Sequence, residues 1–329
     1  VLTLFRTNQI SGALSFLLYL FILRGVDILF PYQHVWQPTA MGVASEWILQ
    51  QVSDNMSLDD IFSFALLFIQ AILITVVVRK HQLLMTDILM PGAFFILVSC
   101  AIPAFLHLSP QMLANTFIII ALDQLLVTYR KNNFAHHLFN VGFWIGIASL
   151  FYFSYITFIL LVFLGLPSIR AFNVREILMM LIGAIVTYFL AGAYYFLIDQ
   201  FPYFLERQFY QNLGILNFKG SLDLNTFVAL SIFALVLFTV LFGYGNIILR
   251  KNISFQKKIG IFYFALLISS ASLFIQSNVD LAHLMMLTVP LGFLLGVWAK
   301  EISPTMAEVF HLFLVVIILV WQAFPFWGN

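Results

Sequence analysis

Charge is what this sequence has least of, and cysteine is nearly as scarce. Only 9% of its 329 residues are Asp, Glu, Lys or Arg, against about 25% in an ordinary soluble domain, so water is not the main solvent for this chain. A net charge of +1 provides no basic excess for a nucleic acid partner. The single cysteine, Cys100, excludes an internal disulfide and a CxxC metal or redox site. It lies in an apolar run and reads as a small buried hydrophobe. No HExxH, P-loop, GxSxG or histidine-rich ligand set is present, so no metal site and no cofactor is expected. Heptads, barrel-type alternation and low-complexity linkers are also missing. What the chain does have is apolar length, with 62% hydrophobic residues and 38 phenylalanines.

Apolar runs of about 17 to 25 residues suffice to cross the hydrocarbon core of a bilayer. Such spans are predicted near 10–30, 61–78, 83–106, 111–128, 176–197, 225–248, 259–275, 284–299 and 306–322. The first carries Arg24 and Asp27 where a cleavable signal would carry small residues, so a retained span is expected. Val1, read as a translated GTG start, hints at a bacterial source. The stretch 138–166 is too long for one upright span and short for two. Basic residues decide it, because short loops rich in Lys and Arg stay cytoplasmic. With Arg6 inside, a single crossing there would put Arg170, Arg175, Arg250, Lys251, Lys257 and Lys258 outside. A turn back near Ser154–Tyr155 puts them all inside. The expectation is therefore an all-α integral membrane protein, one polytopic domain over 1–329. It has about eleven transmembrane segments, its N-terminus in and its C-terminus out, a V-shaped helix pair at 138–166, and outer loops at 31–60 and 199–224.

An ionisable side chain within a span is costly and needs a partner. Arg24 and Asp27 are three residues apart, neighbours on one helix face that can neutralise each other. They either pin the first span at the outer interface or face a ligand. Asp123 lies about two turns from Arg130, too far for pairing along the helix, so its partner must come from elsewhere. On the outer side, His34, Glu46, Asp54, Asp280 and His283 are candidates to line one cavity, as general bases or cation ligands, or else belong to solvated loops. Asp27, Glu46, Asp54 and Asp280 are the candidate catalytic carboxylates; Arg24, His34, Trp36 and His283 are the candidate binding residues. Trp36 doubles as an interfacial anchor. Asp59 and Asp60 follow Ser57 at the start of an apolar run and read as N-terminal helix acids. Gly142-x-x-x-Gly146 and Gly292-x-x-x-Gly296 are small-residue faces for close helix packing.

Three segments together carry a family resemblance. Asn115 to Asp123 precedes Tyr129-Arg130-Lys131, Val141 to Tyr152 includes Gly142 and Gly146, and a basic return follows at Arg170 to Arg175. Over roughly 10–200 this pattern resembles the C-type membrane glycosyltransferases, which transfer sugars from polyprenyl-phosphate donors at the outer face of the membrane. The resemblance implies a buried V of two short helices between basic turns. Val289-Pro290-Leu291 after His283 is similar to the superfold's late proline-containing span. Active members usually place an acidic residue just after the first span, where this chain reads Phe30-Pro-Tyr-Gln-His34-Val-Trp36, with Asp27 early and Glu46 late. More closely, the chain resembles a family of polytopic inner-membrane proteins of Bacteroidota. The expectations that follow are a non-catalytic or lipid-binding subunit of a cell-envelope complex, with the bilayer, other envelope proteins and a polyprenyl-phosphate lipid as partners. The alternatives are a polyprenyl-phosphate-sugar-dependent glycosyltransferase, in which case a divalent cation is implied, and a transporter.

Overall fold

The computed structural model describes residues 2–6, 10–29, 41–52, 56–129, 135–169, 173–214, 224–248, 251–274 and 280–323. Their α-helices run in chain order as α1 Ser15–Leu23, α2 Gly25–Leu29, α3 Val43–Val52, α4 Met56–Lys80, α5 Met90–Ser99, α6 Pro110–Val127, α7 Ala135–Phe151 and α8 Ile159–Ile169. They continue as α9 Val174–Leu197, α10 Phe201–Leu205, α11 Leu224–Phe242, α12 Tyr244–Ile248, α13 Ile253–Ala271, α14 Thr288–Glu301 and α15 Pro304–Ala323. Six stretches among the described residues are long and apolar enough to cross a membrane: 58–80, 110–127, 174–197, 253–274, 281–301 and 304–323. Gly12–Leu23, Met90–Ser99, Ala135–Phe151, Phe153–Ser168 and Leu230–Phe242 are shorter apolar helices. The chain is thus a multi-pass membrane protein. Its surface agrees: along α9, Leu178, Ile182, Ile185 and Phe189 recur at helical spacing and are each more than half exposed, a face suited to lipid.

Glycine sets the closest helix crossings. A Cβ on Gly142 would lie 1.8 Å from the Met180 carbonyl oxygen, and one on Gly183 would lie 2.1 Å from that of Phe139, so α7 and α9 touch backbone to backbone. Gly292 and Gly296 do the same for α14 against α5, meeting Phe95 Cα and Pro91 Cα at 2.4 Å each. Both small-residue faces read from the sequence therefore make close helix contacts.

The contacts also give direction. Gly142 meets Met180, Gly146 meets Ala184 and Thr187, and Ser149 bonds Tyr188, so α7 and α9 run the same way. The segment between them must come back. It breaks at Tyr152, whose backbone is extended, passes through the 3-10 turn Phe153–Phe158, and returns as α8, which packs on α13. A single crossing over 138–166 would have made α9 antiparallel to α7. Likewise α4 and α6 are parallel, with Asp59 bonding Leu108, Gln70 bonding Met112, and Lys80 pairing with Asp123 in step.

Polar groups exposed by the break at Tyr152 are satisfied from neighbouring elements, as membrane depth demands. The Phe151 carbonyl accepts from Gly42 N and Ser45 Oγ, and the Ser149 carbonyl accepts from Gln208 Nε2. Tyr155 donates to Asn115 Oδ1 and to the Gln111 carbonyl, while Asn115 Nδ2 donates to the Met285 carbonyl and to Thr288 Oγ1.

Several expected boundaries change. The span near 83–106 contains only the ten-residue α5, about 15 Å long, with all ten residues buried among other helices. Hydropathy records apolarity without saying whether protein or lipid supplies the neighbours. Pro91 near its start and Pro103 after it shorten the helix. The span near 10–30 is interrupted at Arg24, between α1 and α2. In the region 31–60, α3 and the first turn of α4 occupy part of what reads as loop, and α10 with a π-turn at Glu206–Tyr210 does so in 199–224. The span near 259–275 begins six residues earlier, at Ile253, because Asn252 caps α13 by accepting from Phe255 N.

Candidate functional site

One end of the bundle gathers the starts of α4 and α6 with the ends of α1 and α7, and most sequence candidates lie there. Arg24 is 1% exposed. Its Nη1 donates to Ser63 Oγ at 2.8 Å, and its Nη2 meets Asp27 Oδ2 and Asp60 Oδ1, each at 3.3 Å. Nε has no partner among the described residues. The pair expected from the sequence therefore exists, with a second carboxylate added from α4. Next to Asp60, Asp59 accepts from Leu108 N at 3.0 Å and pairs with His107 Nδ1 at 3.0 Å. Asp59, Asp60 and His107 offer ligand atoms within 4.8 Å of one another, a donor set compatible with a divalent cation, although Arg24 already balances Asp60. In sequence His107 carries no signal, because it lies 48 residues from Asp59.

Glu46, on α3, is tied to the segment after α9. Tyr203 donates to Glu46 Oε2, and Arg207 Nε lies 3.3 Å from the same oxygen. Burial, followed by the Glu46 hydrogen bond and charge, pushes the Tyr203 phenol up to about 12. The carboxylate is thus occupied in joining α3 to α10 and the π-turn after it.

Asp280 caps the 3-10 turn Leu281–Leu287, accepting from His283 N at 3.2 Å. Burial raises its pKa above the usual carboxylate value, against the backbone hydrogen bonds that lower it. His283 is fully buried; Nδ1 meets Tyr152 OH and Nε2 meets Ser272 Oγ, both at 2.9 Å. It links the break after α7 to the turn before α14 and does not line a solvated loop. Which ring nitrogen carries the proton is set by these two hydroxyls. His34, Trp36 and Asp54 lie outside the described residues.

An apolar groove of about 900 Å³ opens along α9 and under α10, beside the Glu46 bridge. Tyr188, Phe189, Phe196, Phe201, Phe204 and Phe209 line it. The rings of 196–209 cluster on one another along its wall.

No family model and no curated protein sequence matches the chain. Among solved structures it matches a crystal structure of ArnT from Cupriavidus metallidurans bound to undecaprenyl phosphate, with a TM-score of 0.51 and 14% identity. The chain has a C-type glycosyltransferase-like membrane fold. The match covers 90% of this chain and 57% of ArnT, so the chain spans little more than half the length of that protein. At this identity the likeness concerns the fold and carries no residue roles.

Proposed function

We propose that this protein is a lipid-binding integral membrane subunit of a bacterial cell envelope, built on the C-type glycosyltransferase scaffold. The observation that carries the reading is the groove of Phe196, Phe201, Phe204 and Phe209, within the size range of ligand cavities. Rings that fill an irregular lateral cleft suit the chain of an amphiphile of the polyprenyl-phosphate kind. Glu46 and Asp280 support binding over turnover, since each is engaged in holding local structure. In nanodiscs, native mass spectrometry should show undecaprenyl phosphate retained over bulk lipid, with retention reduced several-fold in Phe196→Ala and Phe204→Ala. Retention no better than that of a dioleoyl phospholipid would end this reading.

A second reading, sugar transfer from a polyprenyl-phosphate donor, draws on the cluster of Asp27, Asp59, Asp60 and His107 at the same end of the bundle. It predicts turnover that Asp59→Asn or Asp27→Asn abolishes while the variant remains folded.

The proposed orientation has about eleven crossings of the inner membrane, with the N-terminus cytoplasmic and the C-terminus outside. Lys80, Lys251, Lys258 and Lys300 then share the cytoplasmic end. Single cysteines at Ser168 and Asn173, in a Cys100→Ala background, should resist an impermeant thiol reagent added to intact cells. Labelling of both would reverse the orientation.

A further inference from the structure

The end of the bundle opposite the Arg24 cluster holds a second cavity, smaller and polar, of about 270 Å³. Its walls are the turn 82–86, the first turns of α13, and the end of α14. Lysines reach it from three places: Lys251 before α13, Lys258 within α13 and Lys300 near the end of α14. Their surroundings differ. Lys251 pairs with Glu301 at 2.8 Å, and Lys300 lies 3.6 Å from Asp87, which stands outside the cavity lining. Lys258 Nζ instead donates to the His81 carbonyl at 2.8 Å and lies 5.4 Å from the centre of the Tyr129 ring. No carboxylate pairs with it among the described residues. Asn252, Ser254 and Phe255 bring the first turn of the nineteen-residue α13 to the same wall, adding the positive end of its dipole.

We propose that this cavity binds a phosphate group. Three cationic side chains stand against Glu301 in the lining and Asp87 just outside it, so the excess of positive charge facing the confined volume is that of Lys258. Lysines that only set membrane orientation have no need to surround a cavity. Lys258 has a further property: half-buried on a helix, it holds a charge whose one hydrogen bond among the described residues is to a carbonyl, leaving donors for an anion. The volume falls below the roughly 300 to 1,000 Å³ of sites that enclose whole drug-sized ligands. It therefore suits a phosphate or pyrophosphate group, either free or as a lipid headgroup whose chains remain in the bilayer.

The test uses the purified full chain. Inorganic phosphate and pyrophosphate are titrated calorimetrically at constant ionic strength, and phosphatidylglycerol is compared with phosphatidylcholine in nanodiscs by native mass spectrometry. Saturable anion binding identifies a soluble phosphate compound as the source; selective retention of phosphatidylglycerol alone identifies a headgroup; either supports the site. Lys258→Gln and Lys300→Gln should each weaken the positive arm about tenfold, the loss of one charge-assisted contact. Lys258→Arg should restore most of it. Lys257→Gln, next in sequence but outside the lining, should leave it unchanged. Binding in neither arm would overturn the proposal. So would equal weakening by Lys257→Gln and Lys258→Gln, because a diffuse basic surface, unlike a site, treats the two lysines alike.

Discussion

The two ends of the bundle differ in how deeply they hold their cations. At the Arg24 end the guanidinium is 1% exposed and Asp27 8% exposed, although Asp60 is 47% exposed, and both hydrogen-bond donors of Nη2 are committed. At the other end, Lys80, Lys251 and Lys300 remain 47%, 32% and 29% exposed while they pair with Asp123, Glu301 and Asp87. Similar distances therefore describe different energetics. A buried charge that loses its partner has nowhere to turn, whereas an exposed one turns to water.

Removing Arg24 tests this difference at its largest. Arg24→Ala leaves Asp27 buried beside Asp60 and should cost about 3–5 kcal/mol in a detergent melt. Asp27→Asn should cost clearly less, because Asp60 still faces the guanidinium. Combining Arg24→Ala with Asp27→Ala should recover part of the loss. Equal losses in the two single variants and the double would show that the pair is wet, and the contrast between the ends would disappear.

Lys80→Ala should change stability by no more than about 1 kcal/mol, the range of exposed pairs, since Asp123 keeps His81 at 2.8 Å. A loss as large as that of Arg24→Ala would mean that the basic end is as closed as the other. The smallest effect is expected at Asp280, where burial raises the pKa and the charged form is therefore the disfavoured one. Its contribution to stability is full below the ordinary carboxylate pKa and declines as pH rises through the raised value. Asparagine is an equally good cap. Asp280→Asn should therefore melt slightly higher than the parent at neutral pH, with the gain vanishing as pH falls toward about 4. An unchanged gain at low pH would show that charge at Asp280 is not the cause.

Local spacing made part of this molecule legible. Arg24 and Asp27 are three residues apart, and each glycine pair is four apart, so periodicity alone puts them on one face. The reversal after α7 was readable for another reason: keeping the basic residues far along the chain on one side of the membrane requires a turn back within 138–166. Asp60 beside Arg24, His107 beside Asp59, and the Tyr152–His283–Ser272 chain were not readable, since each joins segments that only the packed fold brings together. Composition likewise could not reveal that α5 meets protein on every side, because Phe94 and Phe95 are as apolar as any residues facing lipid.

That burial constrains how the protein is made. A helix of ten residues covers about half of the hydrocarbon thickness, so α5 cannot be delivered to the bilayer as an independent insertion unit and has to enter with α4 and α6 on either side. The face of Pro91 and Phe95 then waits for Gly292 and Gly296, which the ribosome adds nearly two hundred residues later. During that interval the seam along α5 is unfilled; α14 closes it, and α15 then covers the end of α5 through Gln322 on the Cys100 carbonyl.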